Sequence, residues 1–348
     1  MILQEQPLYL QDLKTVLSLP LKFEKLQNSR ILITGATGLI GTVLVDMLDL
    51  INKEKHLKIS LDIITRNKER TISKFAYIKD TSINVIEHDI LKSFDCDTDY
   101  SFIIHGASNT HPVLYANDPV GSLATNVFGT YYLLEAARKC SNPRFVLLSS
   151  VEIYGEDTIN CETGFKETDF GYLDCNTVRA NYCEGKRASE SLCQAYKSQY
   201  NIDVVIPRPC RSYGPTLKKD DTKALSQFLK NGVDGKDIVL KSEGKQFYSY
   251  LYVSDVVTGI LFCMLNGQNG EAYNIADKKS DITLRDLATL IARLSDTKVI
   301  FDIPQLDEKK GFSKATRAIL DSTKLQQLGW KPFYTIETGI ERTLRLLK

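Results

Sequence analysis

The most chemically suggestive pair in the chain is Tyr182 and Lys186, in the segment NYCEGKR at 181–187. A spacing of four puts both side chains on one face of a helix. A tyrosine with its ordinary pKa of about 10 is a poor base at neutral pH. An ammonium group beside it favours the phenolate, so the tyrosine takes or gives a proton while a hydride moves. A second segment, LLSSVEIYG at 147–155, offers Ser150 to hydrogen-bond the reacting oxygen and Glu152 as a further acid or base. The pattern YxxxK arises by chance in many helices, and Glu152 taken alone also reads as a surface-loop carboxylate. The pairing of the two segments gives them weight, together with a third motif upstream.

That motif is TGATGLIG at 34–41, with glycines at 35, 38 and 41. It lies between the apolar run Arg30–Thr34 and an apolar helix expected from Leu39 to Leu50, the strand–turn–helix setting that a dinucleotide fingerprint requires. Gly35 permits the tight turn, Gly38 lets the backbone approach a pyrophosphate at the helix N-terminus, and Gly41 allows helix and strand to pack closely. At the end of the next strand, where an acid usually receives the adenosine ribose of NAD, this chain has Arg66, with Lys68 and Arg70 nearby. A cation there accommodates a 2′-phosphate, so NADP is favoured over NAD. The alternative is that Arg66 stacks on adenine or is a solvated loop residue.

Further short apolar runs follow at 58–64, 83–86, 102–105, 144–148 and 203–206, most of them separated by helix-like stretches such as 123–139 and 183–199. Strands alternating with helices imply crossover units and a doubly wound parallel sheet, an α/β Rossmann arrangement. Ser150 and Glu152 then stand at the carboxyl end of the fifth strand, where such sheets bind ligands. Beyond about residue 210 the rhythm loosens, with two amphipathic helices at 255–265 and 284–294. The expected organisation is an N-terminal extension over 1–29, packed as a helix on the domain or used in a dimer, a dinucleotide-binding domain over 30–209, and a smaller interleaved substrate-binding region over 210–348.

The 348 residues carry 44 Lys and Arg against 43 Asp and Glu, a net charge of +1. Neither a nucleic-acid nor a membrane field is expected from that balance, and an anionic substrate must be gripped by local residues. The eight cysteines show no CxxC spacing, and the four histidines lie apart from them. No metal site is expected, and reduced thiols in a cytoplasmic protein are. The first residues, MILQEQPLYLQDL, have neither a basic start nor a continuous apolar core, so no export signal is expected. No apolar run approaches the roughly 20 residues of a membrane span.

The blocks TGATGLIG, HGAS, TNVFGT, LLSSVEIYG, NYCEGKR, RPCRSYGP, YLYVSD and AYNIA together resemble the extended short-chain dehydrogenases, the NAD-dependent epimerase/dehydratase family, over about residues 30–345. The stretch around Tyr182 is most similar to UDP-glucuronate decarboxylases. The resemblance implies a nucleotide-diphosphate sugar as substrate and a homodimer built on helices that include the YxxxK helix. It implies cofactor contacts from Gly35, Thr37, Gly38, Leu39, Ile40 and Gly41, from Arg66, Asp89, Ile90, Ala107 and Ser108, and from Tyr182 and Lys186. It implies catalytic roles for Ser150, Glu152, Tyr182 and Lys186, and substrate contacts from Asn109, Ser150, Arg211, Tyr248 and Arg317. Three departures stand out. Val151 replaces the catalytic Asp of the 4,6-dehydratases, Arg211 stands where the family has Asn, and Tyr248 replaces an Arg that grips the substrate diphosphate. Arg211 with Arg317 is the expected substitute for that grip, against a purely structural ion-pairing role for both. Three functions are compatible with these residues: a recycling enzyme that oxidises the sugar and later returns the hydride, an NADPH-consuming reductase of a keto sugar, and a non-catalytic dinucleotide sensor.

Overall fold

Residues 31–33 show why the sheet is apolar throughout: Ile31 and Ile33 point into one core and Leu32 into another, so both faces of the strand are covered. The computed structural model describes residues 3–95, 97–109, 117–157, 162–178, 180–218, 220–303 and 316–348. In chain order its first half holds α1 (Pro7–Lys14), β1 (Arg30–Thr34), α2 (Leu39–Lys55), β2 (Ser60–Thr65), α3 (Lys68–Lys74), β3 (Ser82–Glu87), β4 (Phe102–His105), α4 (Pro119–Ala137), β5 (Arg144–Leu147), α5 (Ala180–Tyr200) and β6 (Asp203–Pro209). The second half holds β7 (Arg211–Tyr213), α6 (Ala224–Val233), β8 (Ile238–Leu240), β9 (Phe247–Tyr252), α7 (Val253–Asn266), β10 (Glu271–Ile275), β11 (Asp281–Thr283), α8 (Leu284–Ser295), β12 (Val299–Phe301), β13 (Arg317–Ala318), α9 (Thr323–Gln327) and α10 (Ile336–Leu347).

Seven strands form one parallel sheet in the order β10-β6-β5-β4-β1-β2-β3. The chain moves outward from β1 through β2 to β3, then returns to β4 on the other side of β1. That reversal opens a crevice above the carboxyl ends of β1 and β4. Leu133, Leu134, Cys193 and Tyr196 of α4 and α5 pack on one face. Residues of α2 and of α7, buried from Val253 to Leu265, pack on the other. The doubly wound parallel sheet is as expected, and its edge strand β10 comes from beyond residue 210, paired with β6 through Glu271 and Val205. β9 joins β11, β13 and β7 in a second, smaller sheet.

The second strand begins at Ser60, not at residue 58. α2 runs on to Lys55 and ends on His56 in the left-handed region, and Lys58 also has a positive φ of 57°. Two left-handed residues so close together prevent an extended run before Ser60. Among the described residues no helix is long and apolar enough to cross a membrane.

The N-terminal segment packs on the molecule as a helix and short turns, and two buried carboxylates fasten it. Asp46 of α2 accepts hydrogen bonds from Tyr9 Oη (2.6 Å), Gln4 Nε2 (3.2 Å) and Tyr77 Oη, the last from the chain just after α3. Asp12 of α1 receives Tyr252 Oη at 2.5 Å from the end of β9 and Arg342 Nε at 2.6 Å from α10. The segment thus ties the part that carries α2 and α3 to the part that carries β9. Burial pushes the Asp46 carboxyl up from 3.8 to about 6. The native protein then holds a proton that the unfolded chain has already released. The Asp46 contribution to stability is full below pH 3.8 and is lost as pH rises through about 6. Asp46→Asn has no proton to release, so it should flatten this part of the stability–pH curve in denaturant unfolding at a series of pH values. An unchanged slope would mean that Asp46 does not titrate in this window.

Candidate active site

The glycine-rich turn sits between β1 and α2, at the reversal of the sheet. Gly35 has φ 76°, and a Cβ on it would lie 2.5 Å from the carbonyl carbon of Gly106 after β4. A Cβ on Gly41 would lie 2.3 Å from the Gly35 oxygen. Both positions therefore require glycine, and the turn stays low enough for a pyrophosphate to rest at the start of α2. Thr34 Oγ1 fastens the adjoining strand ends: it meets His105 Nδ1 at 2.8 Å and accepts the Ala107 N–H at 3.1 Å. Burial, and then the charge of Lys186, hold His105 down at about 3, so its imidazole is neutral.

One cleft of about 1230 Å³ runs from this turn to β9. Single ligands usually fill about 300–1,000 Å³, so this cleft has room for a dinucleotide and a second molecule end to end. It is lined at one end by Arg66, Arg70, Asp89 and Ile90, centrally by Ala107, Ser108, Asn109, Ser150, Glu152, Tyr182 and Lys186, and at the other end by Arg211 and Tyr248. Residues 35–41 line it as well. The structure thus brings together the candidate residues named from the sequence with one exception. Arg317 does not line the cleft: its Nη2 donates to the Glu162 carbonyl at 2.8 Å, and its guanidinium lies over Phe247.

Tyr182 and Lys186 face the cleft because α5 packs tightly on α4. Gly185 makes this possible, since a Cβ there would stand 3.0 Å from Cβ of Asn126. Asn126 in turn accepts Ser108 Oγ at 2.9 Å, and its backbone carbonyl accepts Ser189 Oγ at 2.8 Å. Lys186 is buried and donates to the Leu148 carbonyl at the end of β5, 2.7 Å away. Burial lowers its pKa to about 8, opposed by the charge of Glu190 one turn along the helix. Glu190 is clamped by Arg208 through Nε (3.0 Å) and Nη2 (2.5 Å), and it also accepts Ser149 Oγ. Arg208 continues to Tyr154 Oη at 2.9 Å. Ser150 caps the single turn Val151–Tyr154, its Oγ accepting the Glu152 N–H at 3.2 Å.

Glu152 and Arg211 form an ion pair at 3.0 Å, and the Arg211 guanidinium lies 3.6 Å from the centre of the Tyr248 ring. The sequence reading did not foresee this pairing. The two residues are 59 apart in the chain and meet only because β5 ends and β7 begins at the same cleft. Arg211 Nη1 is buried without a hydrogen-bond partner among the described residues, a donor left for a bound molecule. The sequence reading also missed Thr34, Asn126, Glu190 and Arg208. Of these, Glu190 carried a legible signal, because a further spacing of four extends YxxxK along the same helical face.

The description that matches the chain is the NAD dependent epimerase/dehydratase family, over residues 31–276. UDP-glucuronic acid decarboxylase 6 of Arabidopsis thaliana is 30% identical, covering 90% of this chain and 87% of that protein. The solved structure of DesIV, a dTDP-glucose 4,6-dehydratase from Streptomyces venezuelae with NAD bound, superposes with a TM-score of 0.75 at 25% identity, covering 91% of this chain and 96% of that one. UDP-glucuronic acid 4-epimerase from Bacillus cereus, solved with UDP-glucuronic acid and NAD, shares the fold with a TM-score of 0.74 at 21% identity, covering 91% and 98%.

If Tyr182 is the proton carrier, Tyr182→Phe should lower turnover by ~10²–10⁴ while cofactor affinity stays close to wild type. The Lys186 charge is present below about pH 8 and is lost above it, so kcat/KM should fall as pH rises through that value. Lys186→Arg should move the fall to higher pH. Equal turnover in the phenylalanine variant would remove Tyr182 from the chemistry.

Proposed function

This chain belongs to the NAD dependent epimerase/dehydratase family, and on that premise we propose that it oxidises a carbinol carbon of a nucleotide-linked sugar, alters the resulting ketone, and returns the hydride. The observation that carries this reading is the meeting of Ser150, Glu152, Tyr182 and Lys186 beside the glycine-rich turn in one cleft. When bound, the nicotinamide accepts or supplies the hydride. Tyr182 takes the hydroxyl proton as the carbonyl forms, and Lys186 favours its phenolate electrostatically. Ser150 donates to the same oxygen. Glu152 moves a second proton at a neighbouring carbon, with Arg211 fixing its carboxylate. Val151 is buried and carries no acid, which favours epimerisation or decarboxylation over elimination. Relatives that act on UDP-glucuronic acid make a nucleotide-linked uronate the first substrate to try.

The cofactor end supports NADP(H) over NAD(H). Arg66 directly follows β2 and lines the cleft, where an acid would serve a free ribose hydroxyl. Should the enzyme use NADPH as a consumed reductant, the same arginine favours the second reading, reduction of a keto sugar. The two differ in a single assay on UDP-glucuronate and its keto derivative. A new sugar without net cofactor change indicates recycling, and steady loss of reduced cofactor indicates a reductase. Silence in both, with cofactor bound, would leave only a sensor. Arg66→Asp should shift preference toward NAD(H), and a wild type that already prefers NAD(H) would sink the assignment.

A homodimer is also part of the proposal. Val120, Leu123, Phe128 and Tyr131 of α4 are exposed apolar residues beside the YxxxK helix, and a second copy of the same face would bury them.

At the substrate end, Arg211 supplies a buried unpaired donor that lines the cleft, and we assign it to the diphosphate, without Arg317. Losing one charge-assisted contact costs ~1.5–3 kcal/mol. Arg211→Ala should therefore raise KM for the nucleotide sugar roughly ten- to a hundredfold, and, because it also frees the Glu152 carboxylate, lower turnover. A variant with a lowered melting temperature and wild-type KM would instead show that the ion pair with Glu152 merely holds the loop.

A further inference from the structure

The chain that follows β7 leaves the substrate side of the cleft and touches the cofactor side. Thr216 Oγ1 donates to the carbonyl of Leu39, in the first turn of α2, at 2.8 Å. Two residues on, Lys218 lines the same cleft as Thr37, Arg66 and Arg70. Lys74, on α3, reaches this place from below, its Nζ 3.4 Å from the Thr37 carbonyl. Four cations from two separate stretches of chain, 66–74 and the segment after β7, are thus gathered around the adenosine end of the glycine-rich turn. Among the described residues none of the four is in an ion pair. Asp46, the carboxylate that acts on Lys74, is already engaged by Tyr9, Tyr77 and Gln4. Burial, and then the charges of Arg70 and Lys218, push the Lys74 ammonium below its ordinary pKa. Like charges gathered close together repel one another, and an anion placed among them relieves the repulsion.

Lys218 also differs from the other three in what it is attached to. Its loop continues through Asp221, whose Oδ1 accepts the Lys223 N–H at 2.9 Å and whose carbonyl accepts Lys230 Nζ at 2.7 Å. It then enters α6, whose first residues Ala224, Leu225 and Ser226 line the substrate end of the cleft. A contact made by Lys218 on one molecule therefore restrains the backbone that receives the other.

We propose that Lys218 is a specificity-determining residue that reaches across the cleft to the 2′-phosphate of NADP(H), and that this contact raises affinity at the substrate end. The proposal rests on the NADP(H) reading and adds to it a residue from the opposite wall of the cleft and a coupling between the two sites. Such coupling needs only that the phosphate favour the ordered arrangement of a loop that the second ligand also favours.

The test uses the intact protein and two small probes, adenosine 2′,5′-bisphosphate and AMP, which differ only in the 2′-phosphate. Wild type should bind the bisphosphate more tightly. Lys218→Met should weaken it about tenfold, the scale of one charge-assisted contact, and leave AMP unchanged, while Lys218→Arg should keep most of the affinity. UDP affinity, measured by calorimetry at saturating cofactor, should be higher with NADPH than with NADH in wild type, and equal with the two in Lys218→Met. Equal weakening of both adenosine probes would place the lysine on the 5′-phosphate and overturn the proposal. A wild-type preference that survives in Lys218→Met would overturn it while leaving the NADP(H) reading intact. A wild type that binds the two probes equally would remove both.

Discussion

A buried ammonium group governs the design of this protein. On the proposed mechanism Lys186 must be charged to assist Tyr182, yet it lies almost wholly inside the molecule, where charge is costly unless it is paired and hydrogen-bonded. The structure answers with one direct acceptor, the Leu148 carbonyl at the end of β5, and with the carboxylate of Glu190 a turn away. Glu190 cannot drift toward Lys186 and neutralise it outright, because Arg208 holds it in a two-point grip and Ser149 occupies it further. The result is an ammonium whose pKa falls to about 8: charged at neutral pH, yet less firmly so than a solvated lysine.

This arrangement explains why strand ends, and not loops alone, build the site. Leu148 and Ser149 follow β5, Arg208 belongs to β6, and Thr34 and His105 close β1 and β4. Arg208, Thr34 and His105 sit in the parallel ladder, and Leu148 and Ser149 continue it through backbone bonds to His105 and Pro207, so the spacing around Lys186 is set by the sheet. Gly185 and Asn126 then bring the helix close enough for the lysine to reach it.

Electrostatics divide the cleft into three. Its end beside the glycine-rich turn and β2 collects cations, its centre holds the lysine and tyrosine, and its far end holds the Glu152–Arg211 pair against Tyr248. The walls come from distant parts of the chain. The N-terminal segment spans the outside, with Asp46 fastening it near α3 and Asp12 fastening it near β9. Buried carboxylates with tyrosine donors suit that task, because each satisfied hydrogen bond is worth a modest amount but each broken one leaves a polar group stranded in the interior.

Local patterns were enough to read the dinucleotide turn, the parallel sheet and the YxxxK face, because these depend on contacts between residues a few positions apart. Gly41 shows it well: the clash that requires glycine there is with Gly35 and Ala36 inside the turn, and the flanking apolar run and helix are visible in the sequence, whereas at Gly35 the clash comes from Gly106 after β4. The second strand shows the limit of such reading, since the left-handed residues His56 and Lys58 move its start to Ser60. Departures from a family pattern were also legible at Arg211, Tyr248 and Val151, but not their consequence. Only the tertiary structure joined Arg211 to Glu152, withdrew Arg317 from the cleft, placed Arg208 against Glu190, and carried Thr216 across to the first turn of α2. The physical reason is range. Propensity and periodicity act over one or two turns of chain, whereas an ion pair in a cleft depends on where two distant strand ends arrive.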